Sequence, residues 1–154
     1  MESILRLKEV SKAYKKSDFR LEQISFSVPY GSIVGFVGEN GAGKSTTIKL
    51  LLNMIHRDGG TITILGRDNR NDLSLLKEEI GVVLDDVGLP ECLKAEQIGK
   101  VMKGIFKTWD DAEYEKYLRR LSIPTDRKFK EFSRGMKMKL QIAVALSHRA
   151  KILI

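Results

Sequence analysis

The sequence predicts an α/β fold with a mainly parallel sheet. Short stretches rich in strand formers alternate with stretches whose apolar residues recur at helical spacing. One of them, Ile33-Val34-Gly35-Phe36-Val37, is continuously apolar, the mark of a strand covered on both faces. Glycines follow it directly, and then an amphipathic helix begins.

The elements follow in order. Ile4–Val10 and Leu21–Val28 read as strands, the second with Leu21, Ile24, Phe26 and Val28 largely alternating. Pro29-Tyr30-Gly31 is a turn. A helix is predicted over Lys44–Ile55, with Ile48, Leu51, Leu52 and Ile55 on one stripe, and Arg57–Gly60 breaks it. Thr61–Leu65 is a strand ending at Gly66, Asp72–Glu79 a short helix, and Ile80–Leu84 a further buried strand. Leu93–Phe106 and Asp110–Leu121 are helical, the second with Asp110 as N-cap and Glu113 at the capping-box position. Trp109, Phe106 and Met102 are read as core by default. Pro124 ends this section, Ser133 starts a last helix running to about Ser147, and Lys151–Ile154 opens a new apolar run.

The 154 residues fit one domain. Hydrophobic residues at 42% and charged residues at 31% exclude a disordered or fibrous chain. No apolar run approaches the roughly 20 residues of a spanning helix. The opening MESILRLKEV, with Glu2 and Glu9, is not expected to be a secretory signal. The single cysteine, Cys92, has no internal disulfide partner and fits a reducing cytoplasm. The net charge of +7 is partly local: Arg127–Lys139 carries Arg127, Lys128, Lys130, Arg134, Lys137 and Lys139 against Glu131. Such a run is either a solvated surface or a positive field near an anionic ligand.

The chemistry lies in Gly38–Ser45, GENGAGKS, which meets the pattern G-x-x-x-x-G-K-[ST]. A random chain of this length matches it only about half a percent of the time at typical residue frequencies. The setting, after a strand-like run and opening a helix, is the one a phosphate-binding loop requires. Glycines let successive N–H groups turn toward phosphate oxygens. Lys44 has the reach for β- and γ-phosphates, Ser45 has a hydroxyl for Mg²⁺, and the helix N-terminus adds its dipole. Gly38, Glu39, Asn40, Gly41, Ala42, Gly43, Lys44, Ser45 and Thr46 are therefore the candidate ligand-binding residues.

Around this loop, GSIVGFVGENGAGKSTTIKLLLNMI, DGGTITILG and IGVVLDD resemble the corresponding segments of ABC-transporter nucleotide-binding domains, and the resemblance covers essentially the whole chain. It implies a P-loop NTPase core with an N-terminal antiparallel β portion and a small helical subdomain. The implied division is a nucleotide-binding core over residues 1–85, a helical subdomain over 86–132, and a signature helix with the start of the Walker B strand over 133–154. It implies ATP and Mg²⁺ as cofactors. Tyr14 falls where the family places a ring that stacks on adenine. Asp85 falls at the glutamine-loop position, where a carboxylate is a candidate Mg²⁺ ligand but also puts negative charge near the γ-phosphate. Phe132-Ser133-Arg134-Gly135-Met136 is similar to the signature usually written LSGGQ, with Ser133 and Gly135 matching and Arg134 and Met136 departing. In the family that element contacts the γ-phosphate held by a second subunit. The departures resemble those of a bacterial exporter subgroup, the YtrB-like ATPases.

The resemblance further implies a transmembrane permease and a second ATPase subunit as partners, on the inner face of the cell membrane, with nucleic acid not expected. The family's acidic pair, including the general base, and its switch histidine would lie beyond Ile154, and His56 and His148 occupy other places. The sequence as it stands is therefore expected to bind nucleotide without efficient hydrolysis. A soluble ABC-type ATPase acting on nucleic acid or the ribosome, or a non-catalytic nucleotide-binding module, are the alternatives.

Overall fold

The computed structural model describes residues 2–15, 18–84 and 88–154. The chain forms two compact units, Met1–Leu76 and Lys77–Ile154.

The first unit is built on a four-stranded antiparallel sheet in the order β2-β1-β3-β4, from β1 (Ser3–Ala13), β2 (Arg20–Pro29), β3 (Gly59–Ile64) and β4 (Arg67–Asp68). Leu5, Leu7 and Val10 of β1 are buried with Leu21, Ile62 and Ile64. Strict alternation would send Val10 to the face opposite Leu7. A bulge corrects this: the β1–β2 and β1–β3 registers both shift after Leu7–Lys8, and Glu9 turns into the left-handed region at φ 52°. The Glu9 amide, taken out of the ladder, donates to Ser25 Oγ at 2.8 Å. Gly60 lies against the bulge, where a Cβ would come within 2.4 Å of the Lys8 and Glu9 carbonyl oxygens.

Helix α1 spans Lys44–Leu51, one turn shorter than the predicted Lys44–Ile55. Asn53 takes a left-handed φ of 51°. Its amide donates to Leu50 O (3.1 Å) and the Met54 amide to Lys49 O (2.9 Å), a Schellman ending that Asn tolerates. Buried Asn69 adds a second cap, donating to the carbonyls of Leu50 and Leu51 at 2.8 and 3.0 Å. Its other end accepts from Arg57, which is also paired with Asp68 at 2.7 Å. Arg57 thus joins the loop before β3 to β4 and, through Asn69, to the end of α1.

The predicted strand Ile33–Val37 is not a strand. Ile33 and Val37 are 102% and 97% exposed, and among the described residues this segment joins no ladder of the first unit. An apolar run becomes a buried strand only with neighbours on its edges and cover on both faces. Phe36 alone has a ring partner here, Phe26 at 5.1 Å.

Helix α2 (Leu73–Glu79) leads into the second unit, where β5 (Ile80–Gly81) pairs in parallel with β6 (Ile152–Leu153). The pairing continues through Ile154 N to Gly81 O (2.9 Å) and Val83 N to Ile154 O (2.8 Å). Parallel pairing is confined to this pair among the described residues. Helices α3 (Ala95–Ile105), α4 (Asp111–Arg120) and α5 (Arg134–Leu146) enclose a core of Leu89, Ile98, Met102, Tyr114, Leu118, Ile123, Phe129, Phe132 and Leu140. Met102 is in that core, and Phe106 and Trp109 pack against it. Asp110 caps α4 by accepting from the amides of Ala112 and Glu113. Glu113 does not close the capping box: its carboxylate binds Lys116 at 2.9 Å instead. His148 is buried with its ring stacked on Phe106 at 4.0 Å and 9°, and burial holds its pKa below 6.5.

Candidate nucleotide-binding site

The loop before α1 is shaped by two left-handed glycines, Gly41 at φ 90° and Gly43 at φ 95°. Gly43 is also the N-cap of α1, and having no side chain it offers no cap hydrogen bond. Its φ of 95° is one that other residues adopt only under strain, and an added Cβ there would fall 2.8 Å from Leu21 Cδ1 and 3.3 Å from Phe19 Cζ, side-chain tips that would have to shift. Inside the helix, Thr47 N and Oγ1 both bond Gly43 O, at 2.8 and 2.9 Å, which locks the first turn to the loop. The N–H groups at the start of α1 have no acceptor within their own helix.

Lys44 folds over the loop, donating to Gly38 O at 2.6 Å and Glu39 O at 2.7 Å. The ammonium has three donors. It is therefore held at the loop while a donor remains for an anion. A pocket of about 260 Å³ opens here, lined by Phe19, Asn40, Gly41, Gly43, Lys44, Ser45 and Thr46. Backbone donors, a cation, two hydroxyls and a helix N-terminus suit a phosphate chain. Gly38, Glu39 and Ala42 complete the loop, with the Ala42 amide bonded to Glu39 O at 3.3 Å.

Tyr14 follows β1 in the same unit, 38% exposed. It lines an open cavity of about 810 Å³ with Lys12, Ala13, Lys15, Asp18, Arg20 and Asp58. Phe19 links it to the loop: its ring centroid is 6.2 Å from that of Tyr14, and its edge faces Gly43. Phe19 was not legible as a site residue, because nothing in its neighbours' types marks it. Its place beside Gly43 comes from the fold, which also sets Leu21 of β2 against Gly43.

Ser133 and Gly135 belong to the second unit. Ser133 is the N-cap of α5, its Oγ accepting from the Met136 amide at 3.3 Å. Gly135 stands in the exposed first turn with open space where a Cβ would be. Phe132, buried beside Phe129 at 5.9 Å, anchors the turn. The preceding turn, Phe129–Glu131, is tied back by Phe129 N to Leu93 O (2.8 Å) and Lys130 N to Glu91 O (3.1 Å). In the basic run, Lys137 pairs with Glu91 at 3.6 Å and lies 5.0 Å from the Phe129 ring, and Lys139 donates to Leu121 O at 3.2 Å. Those two charges are engaged within the second unit. Asp85 lies outside the described residues. Just before it, the Leu84 amide donates to Gln141 Oε1 on α5 at 3.2 Å.

The chain is similar to known proteins. The sequence profile described as ABC transporter matches residues 21–154. The linearmycin resistance ATP-binding protein LnrL of Bacillus subtilis is 33% identical over 158 residues, covering 98% of this chain and 50% of the relative. The lantibiotic transport ATP-binding protein SrtF of Streptococcus pyogenes is 30% identical over 154 residues, covering 98% of this chain and 65% of the relative. Among solved structures, an ATP-binding subunit of an ABC transporter superposes with a TM-score of 0.80 at 30% identity, over 92% of this chain and 61% of that one. The chain thus spans about half to two-thirds of the length of these relatives. Among the described residues no helix is long and apolar enough to cross a membrane. With its phosphate-type loop at Gly38–Thr46 and a profile match over residues 21–154, the chain belongs to the ABC transporter family as an ATP-binding domain.

Proposed function

We propose that this chain is the nucleotide-binding part of an ABC transporter ATPase, binding MgATP to drive a membrane permease from the cytoplasmic side of the membrane. The observation that carries the reading is the loop itself: glycine-shaped, uncapped at α1, with the Lys44 ammonium held at its mouth. Loop amides and Lys44 hold the β- and γ-phosphates and stabilise charge on them. Among the described residues no group of three His, Cys, Asp or Glu side chains is gathered for a metal. Mg²⁺ would come with the phosphates and be held by the Ser45 hydroxyl, as suits an ion that keeps few protein ligands. Asp85 is the sequence's candidate for a further ligand. Tyr14 would stack on the base, a contact worth about 1–3 kcal/mol in comparable sites. Ser133 and Gly135 would meet the γ-phosphate bound to a second ATPase subunit, through the N-terminus of α5. The core, helical and signature segments at 1–85, 86–132 and 133–154 would divide these tasks.

Calorimetric titration with MgATP tests the reading. The chain is expected to bind, and Lys44→Ala to weaken binding roughly 10- to 100-fold, the worth of a charge-assisted hydrogen bond. Equal binding by wild type and Lys44→Ala would contradict the loop assignment.

A further inference from the structure

The β1–β3 ladder ends at the Ser11–Gly59 pair, yet β1 runs on to Ala13, directly before Tyr14. Beyond the ladder, one residue takes over its β3 side. The Asp58 amide donates to Ser11 O at 2.9 Å. Its Oδ1 accepts from Lys12 Nζ at 2.9 Å, and its Oδ2 accepts from the Ala13 amide at 2.8 Å. Three consecutive residues are thus fixed by Asp58, and the next residue is the ring. The same carboxylate sets the Lys12 ammonium 5.7 Å from the Tyr14 ring centroid. Lys12, Tyr14 and Asp58 line one cavity. A carboxylate that served only to seal a sheet edge would need one of these bonds. Here its two oxygens hold two successive residues in the orientation that presents Tyr14.

We infer that Asp58 is a positioning residue for the base end of the nucleotide site, holding the end of β1 so that Tyr14 meets the base in one orientation. The inference rests on the reading that Tyr14 stacks on the base. Among the described residues, none lines both the phosphate pocket and Asp58's cavity, so Asp58 acts on recognition of the base and leaves recognition of the phosphates alone.

Calorimetric titrations of ATP and of inorganic tripolyphosphate into the chain separate the two. Tyr14→Ala and Asp58→Ala are each expected to weaken ATP about tenfold, within the range of one lost stacking contact, and to change tripolyphosphate by less than about twofold. Asp58→Asn retains an oxygen for the Ala13 amide and is expected to recover most of the ATP affinity. Adding Asp58→Ala to Tyr14→Ala is expected to cost nothing further. Where Asp58→Ala does not fold, Asp58→Glu, which displaces the same carboxylate, carries the test with the same expected split. If Tyr14→Ala weakens ATP and the Asp58 variants do not, or if they weaken tripolyphosphate equally, the positioning role is overturned. If Tyr14→Ala leaves ATP unchanged, the stacking reading falls, and the role of Asp58 with it.

Discussion

Two helices of this chain begin at candidate phosphate contacts, and they begin differently. Helix α1 starts after Gly43, a left-handed residue with no side chain to offer its first amides. Helix α5 starts after Ser133, whose hydroxyl already accepts from the Met136 amide. A glycine start costs only roughly a few tenths of a kcal/mol against a side-chain cap, but it leaves the first N–H groups to solvent. It is an advantage where an anion supplies the acceptor. The first helix thus leaves its first amides open to a ligand in its own unit, while the second has one amide already capped and keeps its remaining amides and an exposed Gly135 for a contact from outside.

The largest effect expected from breaking this contrast is at Gly43. Gly43→Ala forces a Cβ against Leu21 at a φ of 95°, with strain of about 1–3 kcal/mol. Chemical denaturation should show that loss of stability, and tripolyphosphate binding should fall with it. Ser133→Ala should cost about 1 kcal/mol of stability, with Ser133→Gly recovering all but a few tenths, since glycine is a passable cap. A Gly variant no more stable than the Ala variant would show that Ser133 does something other than cap.

The smallest effect is on pH. Arg149 and then the Glu113 amide hold the Asp110 carboxyl below its ordinary 3.8. A depressed folded pKa contributes stability that is present above 3.8 and lost as pH falls through the folded value. The acid limb of the second unit should therefore steepen below about pH 4, and Asp110→Asn should flatten it. His148 works on the same side at higher pH. Burial holds its folded pKa below 6.5, so the unfolded chain takes up a proton first, and stability declines as pH drops below that value.

What was legible in the sequence was local. The helix start at Lys44 after Gly43 and the caps at Asp110 and Ser133 are fixed within a few residues, and all three stand where the pattern put them. Ile33–Val37 was misread because a buried strand is defined by neighbours, which an apolar run does not name. The end of α1 was misread because the apolar stripe runs past Asn53, and nothing in its period reveals a left-handed residue. Phe19 and Asp58 were invisible for a related reason: each reaches its place through contacts with residues remote in sequence, Phe19 with Gly43 and Asp58 with Ser11, Lys12 and Ala13. The glutamate at the capping-box position found a nearer cation in Lys116.

The central claim is that the uncapped loop and helix start receive a phosphate chain. The most direct test is to follow the backbone amides by NMR during a tripolyphosphate titration. The account predicts that the amides of Gly41, Gly43, Lys44, Ser45 and Thr46 shift most, and that Lys44→Ala suppresses those shifts. Shifts centred elsewhere, or none at these amides at saturating ligand, would contradict it.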